Sequence, residues 1–141
     1  RGAQMIAQRI KPDVALVTDV CHDTNTPMID KIEQGDFKSG DGPVLSYAPA
    51  VQNNLLKLLI ETAQKNKIPF QRMALSSRTG TDTDAFAYSN EGVASALISL
   101  PLKYMHTTVE TAHRDDVENL IKLYIEVLQN IKDGHDFRYF K

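Results

Sequence analysis

The sequence predicts an α/β fold, a mostly parallel sheet sandwiched between helices. Three observations carry that expectation. Short apolar runs rich in β-branched residues, VALVTDV over 14–20 and ASALISL over 94–100, read as strands buried on both faces. Two longer stretches, from 50 to 65 and from Arg114 onward, place apolar residues at helical spacing. Strand-like and helix-like segments alternate along the chain with no repeat, low-complexity tract or linker between them. A length of 141 residues suits one domain of ordinary size.

Taken in order, Met5, Ile6 and Ile10 recur at near-helical spacing, so the chain opens on a helix. Pro12 ends it, because the residue before a proline is pushed out of helical geometry. Val14–Val20 is the first strand. Residues 22–42 mix Gly, Asp, Asn, Thr and Pro without a period and read as an elaborated loop. Gly42–Pro49 holds a second, shorter strand. Ala50–Lys65 is a helix with Val51, Leu55, Leu58, Leu59 and Ala63 on one face. Pro69–Leu75 is a third strand, with Phe70, Met73 and Leu75 set among polar neighbours. SSRTGTDTDAF is a loop running into a short helix capped by Thr81 or Thr83. Ala94–Leu100 is a fourth strand and Val109–Ala112 a short fifth. Arg114, Asp115 and Asp116 open the last helix, where acids complement the helix dipole. Its apolar stripe is Val117, Leu120, Ile121, Tyr124, Ile125 and Leu128. The tail GHDFRYFK mixes aromatics with charges and reads as a docked or frayed terminus rather than a nucleic-acid contact.

Composition narrows the function classes. Hydrophobic residues make up 42% of the chain, enough for a real core. A net charge of -2 gives no steering toward nucleic acid or an anionic membrane. The single cysteine, Cys21, allows no intramolecular disulfide and fits a reducing, cytoplasmic compartment. No apolar run approaches the roughly 20 residues that span a bilayer.

In open α/β sheets, sites form beyond the carboxyl ends of the strands. Three polar clusters are expected at that edge: Asp19 with Cys21, His22 and Asp23, then residues 76–84, then 103–110. Asp19 lies inside an apolar run, where a carboxylate is costly unless it is paired or bound to a metal. His106 lies in PLKYMHTTVE, between an aromatic and two threonines. Carboxylate oxygen and imidazole nitrogen both suit zinc or cobalt. The plainer alternatives are a strand-end Asp paired with an arginine and an ordinary loop histidine, and two ligands do not complete a site. Cys21 and His22 are adjacent on a strand and point to opposite faces, which argues against a Cys–His catalytic pair. His113 precedes a helix as a cap-region residue, and His135 lies in the tail. TGTDTDAF is too acidic and too poor in glycine for a phosphate cradle. Its backbone amides or Asp82 remain to orient a substrate, unless the turn only caps its helix.

VALVTDVCHDTNTP, then GTDTDAF, then KYMHTTVE resemble, in that order, the motifs of metallopeptidase family forty-two. Its members are di-metal glutamyl and deblocking aminopeptidases, some labelled endoglucanases. The resemblance spans nearly the whole chain. It implies that Asp19 is a terminal ligand of one metal and His106 of the other, and that Gly80, Thr81 and Asp82 lie near the substrate. Two departures stand out. Thr83 and Asp84 stand between Asp82 and Ala85, where the family often has Ala directly after the first Asp of the turn. Thr108 stands where the family often has Pro.

The resemblance implies more. The family carries a Glu-Glu-Val-Gly-Leu-Arg-Gly-Ala segment, and this chain opens on Arg-Gly-Ala. The general-base Glu, a ligand Glu, a bridging Asp and a first His would then lie upstream of Arg1. Residues 1–141 are accordingly expected to be the C-terminal half of a di-zinc exopeptidase-like catalytic domain, lacking its N-terminal part and a β-rich inserted domain. The implied function is hydrolysis of N-terminal residues from peptides by a water shared between two divalent ions, zinc or cobalt, about 3.5–4 Å apart. The intact enzyme is expected to be a homo-oligomer acting on peptides, and the 141 residues alone are expected to be inactive. A non-catalytic α/β assembly module is the alternative. Glycoside hydrolysis is a weaker one, because no facing pair of carboxylates stands out.

Overall fold

The computed structural model describes residues 1–137 and Tyr139, and shows a five-stranded sheet layered with helices. The elements are α1 (Gly2–Ile10), β1 (Val14–His22), α2 (Lys31–Gln34), β2 (Val44–Tyr47), α3 (Asn53–Lys65), β3 (Gln71–Ala74), α4 (Asp82–Ala87), β4 (Ala94–Lys103), β5 (Thr111–Ala112) and α5 (Arg114–Asn130). The expected α/β layering is the fold observed. The added element is α2, a single turn inside the segment that showed no period.

The strand order is β1-β4-β2-β3, with β5 paired to β4. β1 lies parallel to β4 in a continuous register from Val14↔Ala94 to His22↔Leu102. β2 and β3 are parallel to each other, but β2 runs antiparallel to β4, with Val44 opposite Ser99. The sheet is therefore mixed, with β1 and β4 pointing one way and β2 and β3 the other. Residues 23–43, which join β1 to β2, contain only the four-residue α2. Where a full helix is present, as α3 between β2 and β3, the pair is parallel.

β4 is central, and residues of both parities along it are buried. α3 packs against α5, while α1 packs against α4, which also crosses β1 and β4. The main core gathers Leu45, Leu55, Leu59, Ile98, Leu123 and Val127. Each such side chain, fully removed from water, stabilises the fold by about 1.5–3 kcal/mol. A smaller cluster joins Cys21, Phe37, Val44 and Met73.

The stripe of α5 that meets the core is turned from the expected one. Asp116, Leu120, Leu123 and Val127 are buried, whereas Ile121, Ile125 and Leu128 are exposed. The helix has apolar residues on two adjacent stripes, and periodicity alone does not choose between them. In the tail, Phe137 is buried and its carbonyl accepts from Asn54 Nδ2, while the Tyr139 hydroxyl accepts from the Asn53 amide. That part of the tail is docked on the start of α3. Arg138, Phe140 and Lys141 lie outside the described residues.

Candidate metal and substrate site

Asp19 is the sixth residue of β1 and shares a rung with Ser99 of β4. Because the two strands are parallel, both end at the same edge. His106 follows β4 just beyond Lys103, at that edge. Ser99 and Lys103 are four residues apart, about 13 Å along a strand. The loop after β4 must therefore fold back to approach the level of Asp19. Met105, which precedes His106, and Ser99 line one cavity of about 170 Å³, whose wall includes neither Asp19 nor His106.

The β4–β5 pairing sets the base of this loop through Leu102↔Ala112 and Lys103↔Thr111. Tyr104 and His106 both adopt left-handed backbone, at φ 55° and 65°. For residues other than glycine this costs on the order of 1–3 kcal/mol each. Local hydrogen bonds over-determine the turn. Thr107 Oγ1 donates to the Tyr104 carbonyl at 2.6 Å, and the His106 amide donates to the Glu110 carboxylate. The His106 imidazole is left exposed and makes no hydrogen bond among the described residues.

Asp19 is half-buried. Its Oδ1 accepts from the Val20 amide at 2.8 Å, and its Oδ2 accepts from no described residue. No described lysine or arginine pairs with it, so the arginine-paired alternative is not what the structure shows. Asp19 and His106 thus each offer an uncommitted donor of the type zinc or cobalt takes. A zinc site needs three or four protein ligands, and the described residues form no group of three or more candidate donors. The donor chemistry fits two of a set, and the rest would have to come from outside the described residues.

The other polar residues at this edge are structural. Asp23 is buried; its Oδ1 accepts from the Asn25 amide at 2.8 Å and its Oδ2 from the Ser39 amide at 3.2 Å, which fastens the long loop. Burial, then the nearby Asp23, Asp116 and Asp19 carboxylates, push the Cys21 thiol up to about 12. Burial and the three acids disfavour the thiolate, which argues against Cys21 as a nucleophile. His113 is the cap of α5, its Nδ1 accepting from the Asp115 amide at 3.3 Å.

The segment 76–84 reaches the site by a different route from the expected one. β3 runs opposite to β1 and β4, so the segment leaves the sheet at the other edge. It then lies over the sheet face, where Thr79 and Thr81 line the same cavity as Met105 and Ser99. Thr81 caps α4, accepting from the Thr83 amide at 3.2 Å. Asp84, not Asp82, organises the turn: its oxygens accept from the amides of Thr79 at 3.2 Å and Gly80 at 3.0 Å. Those amides are therefore committed within the protein. Gly80 has φ 72° and lies open on the surface, and Asp82 is exposed. What this loop presents to the cavity is Thr79 and Thr81.

Sequence reasoning missed Asp84 and the cavity. Asp84 did leave a signal, since Thr81-Asp82-Thr83-Asp84 has the capping-box spacing, an acid three residues after the cap that reaches back to free amides. The cavity left none, because its walls come from four separate segments.

Comparison with known proteins adds a context to this geometry. The family model for the M42 glutamyl aminopeptidases matches residues 1–123. A lysyl aminopeptidase of Pyrococcus furiosus is 36% identical over 132 residues, covering 94% of this chain and 37% of that protein. The crystal structure of a TET aminopeptidase from a marine sediment archaeon of the Thaumarchaeota superposes with a TM-score of 0.85 at 32% identity, over 94% of this chain and 37% of that one. PhTET1-12s, a dodecamer in its asymmetric unit, superposes at 0.69 with 31% identity, over 92% of this chain and 37% of that one. The chain thus spans somewhat over a third of the length of the relatives it matches.

Proposed function

The chain belongs to the M42 glutamyl aminopeptidase family, and from that premise we propose that it works as part of a metal-dependent aminopeptidase that removes N-terminal residues from peptides. The observation that supports the reading is a shared cavity, lined by Met105, which precedes His106, and by Ser99, which sits on the rung of Asp19. It brings the neighbours of two metal-type donors, far apart in the chain, to one space.

In this reading Asp19 Oδ2 and an imidazole nitrogen of His106 would each hold one divalent ion, zinc or cobalt, and two such ions would supply an activated water and a Lewis acid for the scissile carbonyl. The chain's own contribution is positional. The β1–β4 ladder fixes the backbone of Asp19, and the Val20 amide on Oδ1 orients its carboxylate. The left-handed turn closed by Glu110 and Thr107 fixes the backbone of His106. Thr79 and Thr81, tied to each other and to α4, form a wall for the substrate. A general base that takes the proton from water belongs to the part of the enzyme that completes the ligand set.

PhTET1-12s supports a homo-oligomeric assembly, and the exposed Ile121, Ile125 and Leu128 offer apolar surface for one. No described helix is long and apolar enough to cross a membrane.

The test, made on the full-length enzyme of which this chain is proposed to be a part, is release of the N-terminal residue from a short peptide, before and after chelation and then with zinc or cobalt restored. Release from the free peptide but not its N-acetylated form, lost on chelation and regained with metal, is the expected result. No release under any metal condition would leave the assembly module as the better reading.

A further inference from the structure

A metal role asks His106 to present its imidazole at a fixed place, yet His106 lies in a loop beyond the last residue of β4. Among the described residues a single hydrogen bond reaches it, in which its amide donates to the Glu110 carboxylate. The other bonds of the turn pass it by. Thr107 Oγ1 donates to the Tyr104 carbonyl at 2.6 Å and accepts from the Val109 amide at 3.2 Å, and Thr111 Oγ1 donates to the Val109 carbonyl at 3.1 Å.

We propose that Glu110 is a positioning residue for the metal site, its carboxylate holding the His106 backbone in the left-handed form that delivers the imidazole. The proposal rests on the aminopeptidase reading and on His106 as a ligand within it.

The backbone is the first argument. His106 sits at φ 65°. A residue with a Cβ avoids this region unless its surroundings hold it there. Without an acceptor for its amide, His106 relaxes toward negative φ. Rotation about the N–Cα bond then swings the Cα–Cβ bond, and the imidazole leaves its place. A carboxylate is well suited to prevent this, because a hydrogen bond to a charged acceptor is roughly twice as strong as one to a neutral acceptor.

The second argument is where Glu110 stands. It precedes Thr111, which faces Lys103 across the β4–β5 pair. β4 in turn lies in register with β1, which carries Asp19. The Glu110 bond therefore ties His106 to the same ladder that fixes Asp19, and two donors far apart in the chain share one frame. Ligands are held in productive geometry by such supporting bonds, and the loss of one loosens the ion.

Glu110 is also exposed, so its removal opens no cavity in the core. An effect on metal binding is for that reason separable from an effect on folding.

The experiment uses the full-length enzyme of which this chain is proposed to be a part. It is stripped by chelation and titrated with cobalt, followed by the visible absorption of the bound ion. The variants are Glu110→Ala, Glu110→Gln, His106→Ala and the double variant of His106→Ala with Glu110→Ala. Glu110→Ala should weaken cobalt binding by about 10–100-fold and alter the absorption, while the unfolding midpoint of the metal-free enzyme stays close to that of the unaltered one. Glu110→Gln keeps an acceptor oxygen and should bind within about fivefold of the unaltered enzyme. In the His106→Ala background Glu110→Ala should cost less than about twofold more, because the two residues act as one unit. Unchanged cobalt binding in Glu110→Ala would overturn the proposal. Glu110→Gln as weak as Glu110→Ala would also overturn it, since the carboxylate would then act by its charge or by direct ligation. The same would follow from an undiminished Glu110→Ala effect in the absence of His106. An unaltered enzyme that neither binds cobalt nor cleaves peptides would instead remove the aminopeptidase reading, and this proposal with it.

Discussion

Ser99 and Met105 share the wall of one cavity, although the end of a strand and the start of a strained loop lie between them. That relationship ties the rung of Asp19 to the turn of His106, and the hydrogen bonds around it decide which side chains matter.

Asp84 holds the loop that supplies the opposite wall. Asp84→Ala frees the amides of Thr79 and Gly80, and these are near enough to solvent that the stability loss should be about 1 kcal/mol. The larger effect should be on KM, because Thr79 and Thr81 lose their fixed position. Asp82→Ala, two residues away and exposed, should change neither. Thermal denaturation and steady-state kinetics on the two variants check this. A KM raised by Asp82→Ala and not by Asp84→Ala would reverse the roles of the two acids.

Asp116 clasps the segment that enters β2, its carboxylate accepting from the Gly40 amide at 2.7 Å and the Gly42 amide at 2.8 Å. The carboxylate is almost fully buried. Asp116→Ala leaves two amides without acceptors and should lower stability by about 2–4 kcal/mol, read from urea unfolding. Gly42→Ala should be at least as damaging. Gly42 has φ 100°, and a Cβ there would meet the Pro69 carbonyl at 2.4 Å.

Cys21 should resist iodoacetamide in the folded protein at pH 8 and react once the protein is unfolded. Its thiol is raised from an ordinary 9.0 to about 12, first by burial and then by Asp23, Asp116 and Asp19. Between pH 9 and 12 the unfolded chain has released this proton and the folded chain still holds it. The folded state is therefore fully favoured by this group below pH 9 and loses about 1.4 kcal/mol per pH unit above it. Cys21→Ser should flatten that alkaline loss, measured as denaturation midpoints from pH 8 to 11.

The 141-residue chain, purified by itself, should retain neither zinc nor cobalt through gel filtration and should release no amino acids from peptides. The described residues bring no three candidate donors together, and two ligands hold a divalent ion weakly. Metal retained at one or more ions per chain would show a ligand set within these residues that includes more than Asp19 and His106.

The layering was readable in the sequence because its signals are local. Ala94–Leu100 lies in the buried β4. Val14–Val20 lies in β1, but β1 ends the strand order and only Ala15 within that run is buried, so the expectation of a strand buried on both faces is met by β4 alone. Thr81 and His113 cap the helices they precede. Strand direction was less accessible. Nothing in Val44–Tyr47 says that it runs against β4, since the pairing joins residues distant in the chain. The acid of the turn went to Asp82 by motif spacing, although the acid followed directly by an alanine is Asp84. The choice between the two stripes of α5 depended on partners from other segments, and so did the cavity. These features come from residues distant in the chain, where periodicity and motif carry no information.

The most direct measurement compares metal content and peptide turnover of His106→Ala and His113→Ala in the full-length enzyme of which this chain is proposed to be a part. His106 is exposed, so its imidazole contributes little to packing and the fold should survive its removal. Loss of one of a few bonds to a divalent ion should lower occupancy and cut turnover by about 10–100-fold or more. His113, the cap of α5 with one hydrogen bond of 3.3 Å, should cost only a few tenths to about 1 kcal/mol of stability and leave metal and turnover near normal. Near-normal metal and turnover in both variants would contradict the metal role of His106 and return it to the status of an ordinary loop histidine.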